Sequence, residues 1–241
     1  MGGHIRIGML TPSSNTVLEP VTQAMVAGLP QVSVHFSRFK VKEISLSQAA
    51  LAQFNDAAIL QAAELLADAK VDVIGWNGTS SSWLGFDADL RLCTRIEAAT
   101  GIKATTSILA LNEILQRKGI RKLGLFSPYR SDVQAKIVSN YATIGISCSP
   151  EKHLGIEDNF TFAEVSGDKI VSMVHEAAAG PEAIAIICTN LRAAPLVERL
   201  ESEIKLPVYD TIATVVWKCL CLAGVNPGQV SGWGSLFREL K

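Results

Sequence analysis

Two stretches of the chain run an apolar segment into residues that can donate protons or hydrogen bonds. VDVIGWNGTSSSW (71–83) passes through Gly78 into Thr79, Ser80, Ser81 and Ser82, and AIAIICTNLR (183–192) ends its apolar run at Cys188. At the end of a strand, hydroxyls and backbone N–H groups form a cradle for a carboxylate or another oxyanion. A cysteine that opens a polar turn is open to nucleophilic or acid-base work, because neighbouring N–H groups stabilise a thiolate and lower its pKa. Free cysteine is also a common core residue, so position alone leaves Cys188 between the two readings.

Other chemistries lack their residues. GTSSS has neither the spacing nor the lysine of a phosphate-binding loop, and no Gly-x-Gly-x-x-Gly follows the first apolar run, so no nucleotide cofactor is expected. Five cysteines without Cys-x-x-Cys spacing argue against a disulfide framework and a zinc site. His4, His35, His153 and His175 match no triad signature, and His175 reads as a helix-face residue. With 22 basic and 23 acidic residues the net charge is −1, which predicts a small-molecule partner rather than nucleic acid or an acidic membrane. No secretion signal or long apolar span is evident, so a soluble, cytoplasmic protein is expected, with self-association left open.

The elements that would position these residues follow from periodicity. Apolar runs at 5–10, 32–39, 71–76, 122–126, 146–150 and 183–188 alternate with helical segments, which predicts a mainly parallel α/β sheet. Leu51, Phe54, Ala58, Ala62, Leu65 and Leu66 fall at three- and four-residue steps, as one buried face of a long helix would. Ser131 and Gln134 have capping-box spacing. Gly101, Gly119, Gly145 and Gly224 stand where helices need a left-handed terminator.

The chain also echoes itself. IRIGMLTPSSN resembles RKLGLFSPYRSD, VDVIGWNGTSS resembles EAIAIICTNLR, and TGIKATTS resembles KLPVYDTI. This repeat predicts two pseudo-symmetric α/β halves, residues 1–113 with 213–241 and residues 114–212. A site then lies in the cleft where their strand ends face each other. Loops 11–16, 77–82, 127–132 and 188–192 would converge there. Any one of them alone is explained by turn and cap preferences, but four in corresponding positions form a candidate site.

PSSNT (12–16), WNGTSSS (76–82), SPYRSD (127–132), LGIEDN (154–159), the Cys188 loop and GWGSLF (232–237) occur in the order in which this chain resembles the aspartate/glutamate racemase superfamily, in its branch of maleate isomerases and arylmalonate decarboxylases. That resemblance implies a cofactor-independent enzyme acting on a small carboxylate or dicarboxylate. Racemase-type members carry one cysteine per half. Here the second is Cys188 and the first position is Gly78, an arrangement similar to the decarboxylases. By the same resemblance, Thr79, Ser80 and Tyr129 would donate to an enediolate, the Thr189 N–H would assist, and Cys188 would deliver the proton. Ser14, Asn15, Gly78, Asn159, Thr189 and Asn190 would line the substrate. Asn15 and Asn159 correspond to carboxylate-binding residues of the isomerases, while Arg38 reads as a surface cation unless it reaches the cleft.

The expected function is therefore decarboxylation of a small substituted malonate with protonation by Cys188. The alternatives are a single-cysteine, maleate isomerase-like isomerase or lyase, and a non-catalytic carboxylate-binding protein.

Overall fold

The computed structural model describes residues 3–54 and 56–240. Met1, Gly2, Asn55 and Lys241, which the sequence reading assigns to the first half, lie outside the described residues. Among the described residues there are eight strands: β1 Ile5–Pro12, β2 Val32–Phe39, β3 Val73–Trp76, β4 Ala104–Thr106, β5 Lys122–Ser127, β6 Ser147–His153, β7 Ala183–Ile186 and β8 Val208–Asp210. The helices are α1 Leu18–Val26, α2 Gln48–Ala52, α3 Asp56–Asp68, α4 Ser81–Leu84, α5 Phe86–Thr100, α6 Ser107–Lys118, α7 Ser131–Thr143, α8 Gly167–Ala177, α9 Val197–Ile204, α10 Thr211–Leu222 and α11 Ser235–Glu239.

The strands form two parallel four-stranded sheets, ordered β2-β1-β3-β4 and β6-β5-β7-β8. Adding four to each strand number converts one order into the other, so the echo in the sequence is an echo in topology. β3 and β7 are buried along their whole length, as strands covered on both faces should be. The short strands β4 and β8 escape a search for apolar runs because ATT and VYD hold only three residues each.

Helix packing explains the rest of the architecture. α5 buries Asp89, Leu92, Cys93 and Ile96, and α8 buries Ile170, Met173, Val174 and Ala177, each a single stripe. α10 is buried almost all round and packs on α6, β3 and α1. Gly75 permits this approach, since a Cβ there would stand 2.8 Å from Cys219 Sγ and 2.9 Å from Met9 Sδ. Gly101, Gly119, Gly145 and Gly224 all take positive φ just past helices, as the sequence predicts.

Two local expectations are corrected. In place of one long helix through 51–66 there are two, α2 and α3. Gln53 sits after α2, where its side-chain amide donates to Ala50 O and Glu43 O and accepts from Lys42 N–H, tying the helix end to the preceding strap. The buried face of α3 is accordingly Ile59, Ala62, Ala63 and Leu66, while Leu65 is 62% exposed and Ala58 is exposed. The capping box at Ser131 and Gln134 also does not form. Gln134 is buried, and its side chain accepts from Ser127 Oγ at 2.6 Å and donates to Glu151 Oε2 at 2.8 Å. It pins the loop after β5 instead of capping α7.

Candidate active site

The four predicted loops meet at the C-terminal ends of the strands, and hydrogen bonds stitch them across the cleft. Asn15 Nδ2 donates to Thr189 O at 3.0 Å and to Thr189 Oγ1 at 3.2 Å. Thr16 N–H donates to Asn190 Oδ1 and Thr189 Oγ1 donates to Asn77 O, while within the second half Asn190 Nδ2 donates to Asn159 O. Thr79 Oγ1 and Tyr129 Oη lie 2.8 Å apart, joining the first-half loop to the second. Loops from opposite halves are therefore held in fixed register, which preorganises whatever they bind.

Between them lies a cavity of about 20 Å3 whose wall includes Gly78, Thr79, Ser80, Tyr129, Asn159, Cys188 and Thr189. Ser14, Asn15 and Asn190 stand one step behind. Ser14 Oγ accepts from Asn159 Nδ2 and donates to Val41 O, and Asn15 Oδ1 accepts from the N–H groups of Val17 and Leu18 at the start of α1. Arg38 does not reach the cavity. It pairs with Glu19 at 2.8 Å, donates to Ser13 O and is 40% exposed, so the surface reading holds. The final GWGSLF segment is likewise remote, with Ser235 N–H and Oγ both bound by the Glu201 carboxylate.

The rest of the cavity wall is Pro12 and Trp76, from the expected loop 11–16 and the motif WNGTSSS (76–82), together with Val41, Ile44, Phe54 and Trp83, which no motif marks. Phe54 packs edge-on to Trp83, Trp83 to Tyr129, and Tyr129 to Phe162. Val41 and Ile44 belong to a strap after β2. It crosses to the second half through Ile44 N–H donating to Glu157 O and Asn159 N–H donating to Lys42 O. A cavity of about one water-sized sphere cannot take a dicarboxylate, so ligand entry requires this wall to part. A larger groove of about 1110 Å3, bordered by α5, α6 and α7, contains none of the predicted site residues.

Electrostatics decides the state of Cys188, which is 2% exposed. The Asn190 N–H does reach its sulfur, at 3.3 Å, as a thiolate-stabilising turn should. Burial nevertheless dominates and pushes the thiol up to about 12, against the lowering effects of Asn190 N–H and Tyr129, with Asp210 adding to the rise. The expectation of a lowered thiol pKa is thus overturned, and the resting group is a protonated thiol. Tyr129 is raised as well, first by burial and then by proximity to Cys188, so it remains a neutral donor.

Two buried carboxyls support the loops. Asp89 is bound by Ser81 Oγ at 2.6 Å and by Thr106 Oγ1, and burial raises it to about 6 despite those bonds. Asp210 caps α10 by accepting from Ile212 and Ala213 N–H, and burial raises it to about 7. Thr211 beside it accepts from Cys188 N–H, which ties the cap to the thiol loop. No motif marks these two, because Asp89 in a helical pattern looks like any surface acid and Asp210 like an ordinary helix cap.

Two like α/β halves closing on one buried thiol and a set of hydroxyls define a protein of the aspartate/glutamate racemase-like class. Within that class the chain belongs to the arylmalonate decarboxylase family, whose model matches residues 7–237. It is 27% identical over 173 residues to arylmalonate decarboxylase from Bordetella bronchiseptica, covering 69% of this chain and 71% of that one. It is 23% identical over 233 residues to maleate isomerase from Geobacillus stearothermophilus, covering 91% and 92%. A maleate isomerase variant from Pseudomonas putida S16, solved with maleate, superposes with a TM-score of 0.90 at 21% identity over 98% of both chains. An arylmalonate decarboxylase structure gives 0.79 at 23% identity over 97% of this chain and 99% of its own. The family is one of enzymes, comprising a lyase and an isomerase.

Proposed function

We propose that this protein is a cofactor-independent enzyme that removes carbon dioxide from a small substituted malonate and protonates the resulting enediolate from Cys188. The observation that carries this reading is a single buried thiol in the same cavity wall as a hydrogen-bonded hydroxyl pair, Thr79 and Tyr129, with burial keeping the thiol protonated. One carboxylate of the substrate is held by Thr79, Ser80, Tyr129 and the Thr189 loop. The other sits among Val41, Ile44 and Trp83, where desolvation favours loss of its charge as neutral carbon dioxide. As the C–C bond breaks, its electron pair moves onto the retained carboxylate, and the hydroxyl donors stabilise that charge.

Cys188 then gives its Sγ–H to the α-carbon. A carbanion-like enediolate is a far stronger base than a thiolate, so transfer is downhill even from a thiol near 12. The thiolate left behind regains a proton from water. Ser14, Asn15, Asn159 and Asn190 keep the loops in register around the substrate, with Gly78 forming part of the cavity floor.

The second reading is a single-cysteine isomerase or lyase acting on a maleate-like diacid. It draws on the maleate isomerases among the relatives and on Asn159 at the cavity wall. Incubating the protein separately with phenylmalonate and with maleate tests both. Carbon dioxide released from phenylmalonate, and lost in Cys188→Ala, is expected. Conversion of maleate to fumarate without gas release would replace the first reading by the second.

A further inference from the structure

The internal repeat sets Gly78 opposite Cys188, at the corresponding end of β3. A Cβ built on Gly78 would fall 2.1 Å from Cζ2, 2.4 Å from Cε2 and 2.5 Å from Cη2 of Trp76. No side chain fits there while the indole holds that place. These three carbons form a continuous ring edge, and Cε2 is bonded to Nε1, so the edge turned toward Gly78 begins at the indole N–H. Trp76 is 1% exposed and lines the cavity, yet its Nε1–H finds no acceptor among the described residues. A buried N–H left without a partner is costly, and where it borders a site it marks the place of a ligand acceptor.

We infer that Trp76 is a specificity residue. Its indole fills the position that mirrors Cys188, and its N–H donates to a carboxylate oxygen of the substrate on the face of the α-carbon away from the thiol. The neighbouring Trp83, 5% exposed and in the same wall, presents a second buried indole N–H without an acceptor among the described residues. With Thr79 and Tyr129 serving the retained carboxylate, the Trp76 N–H orients the departing one at the edge of its apolar pocket, a single hydrogen bond that offsets part of the desolvation driving its loss, and the site selects dicarboxylates over monocarboxylates that share the same apolar body. Packing of Phe39 against Trp76, with ring centroids 4.9 Å apart, fixes the ring from behind.

This inference rests on the carboxylate reading given above, and the test separates the two. Binding of phenylmalonate and of phenylacetate is measured by calorimetry in the Cys188→Ala protein, where turnover is stopped, with and without Trp76→Phe. Phenylmalonate affinity is expected to fall about tenfold or more in Trp76→Phe, the loss typical of one hydrogen bond to a charged group, while phenylacetate affinity stays within about twofold. In parallel, 15N indole spectra follow the four tryptophans. The Trp76 resonance, assigned by elimination with Trp83→Phe, Trp217→Phe and Trp233→Phe if Trp76→Phe does not fold, is expected to move downfield with phenylmalonate and not with phenylacetate. Binding of both acids with an unmoved Trp76 resonance or an unchanged preference overturns the inference alone. Binding of neither acid overturns the carboxylate reading and this inference with it.

Discussion

The loop after β3 and the loop after β7 occupy the same place in two sheets of the same strand order, yet they are chemically opposite. The β7 loop carries a thiol, Cys188, whose N–H is held by Thr211 and whose sulfur receives the Asn190 N–H. The β3 loop has Gly78 at the mirrored point, the Trp76 edge across it, and hydroxyls from Thr79 onward. On the proposed reading the β7 loop supplies the proton and the β3 loop helps to hold charge. The difference teaches that two copies of one strand order can carry unlike side chains at the mirrored point, a thiol at Cys188 and an indole edge over Gly78.

The strongest way to break this contrast is to remove the thiol. Cys188→Ala should lower the turnover of phenylmalonate by about 10²–10⁴-fold, the usual contribution of a positioned acid, measured as carbon dioxide release. Thr79→Ala should cost about 10²-fold in kcat with a smaller change in KM, because it removes a donor aimed at developing charge. Restoring symmetry by Gly78→Cys should fail. The added side chain meets the Trp76 ring, so thermal or denaturant unfolding should show a loss of about 1–3 kcal/mol from overpacking, with the handedness of 2-phenylpropionate formed from methyl(phenyl)malonate unchanged.

The two supporting carboxyls sharpen the contrast through pH. Asp89 and Asp210 are raised to about 6 and about 7 in the folded state, above the ordinary aspartate value of 3.8. The folded protein therefore holds more protons than the unfolded chain between about pH 4 and pH 7. Their contribution is fully present below about pH 4 and is lost as pH rises through 6 and 7. Asp210→Asn should flatten that part of a stability profile measured by urea titration, whereas other carboxylates dominate below it. The smallest effect is expected at the rim. Arg38→Ala removes an exposed ion pair and should change stability by less than about 1 kcal/mol and leave turnover unaltered.

Much of this organisation was legible in the residues. Five of the six longer strands announce themselves as apolar runs, β6 (SCSPEKH) being largely polar and partly exposed, and the offset between GWNGTSS and IICTNLR exposes the duplication. Thr79, Ser80, Tyr129, Asn159, Cys188 and Thr189 were all marked by lying in strand-end loops or in motifs of the resemblance, and they share one cavity. The apolar wall was not legible, because Val41, Ile44, Phe54 and Trp83 carry no motif and are gathered by tertiary packing. The spacing of Phe54 suits a helix face, yet the Gln53 amide closes α2 just before it and Phe54 meets Trp83 instead. The state of Cys188 is hidden for a similar reason. Sequence reveals the N–H groups of its turn but not the burial that outweighs them. Trp76 read as the last residue of a strand, and only coordinates reveal its edge lying over Gly78.

One-sided proton delivery is tested most directly by the stereochemistry of decarboxylation in deuterium oxide. With the prochiral probe methyl(phenyl)malonate, the account predicts 2-phenylpropionate of a single handedness carrying one deuterium at the α-carbon, and loss of this product in Cys188→Ala. Racemic deuterated product from the wild-type protein, or normal turnover by Cys188→Ala, would contradict it.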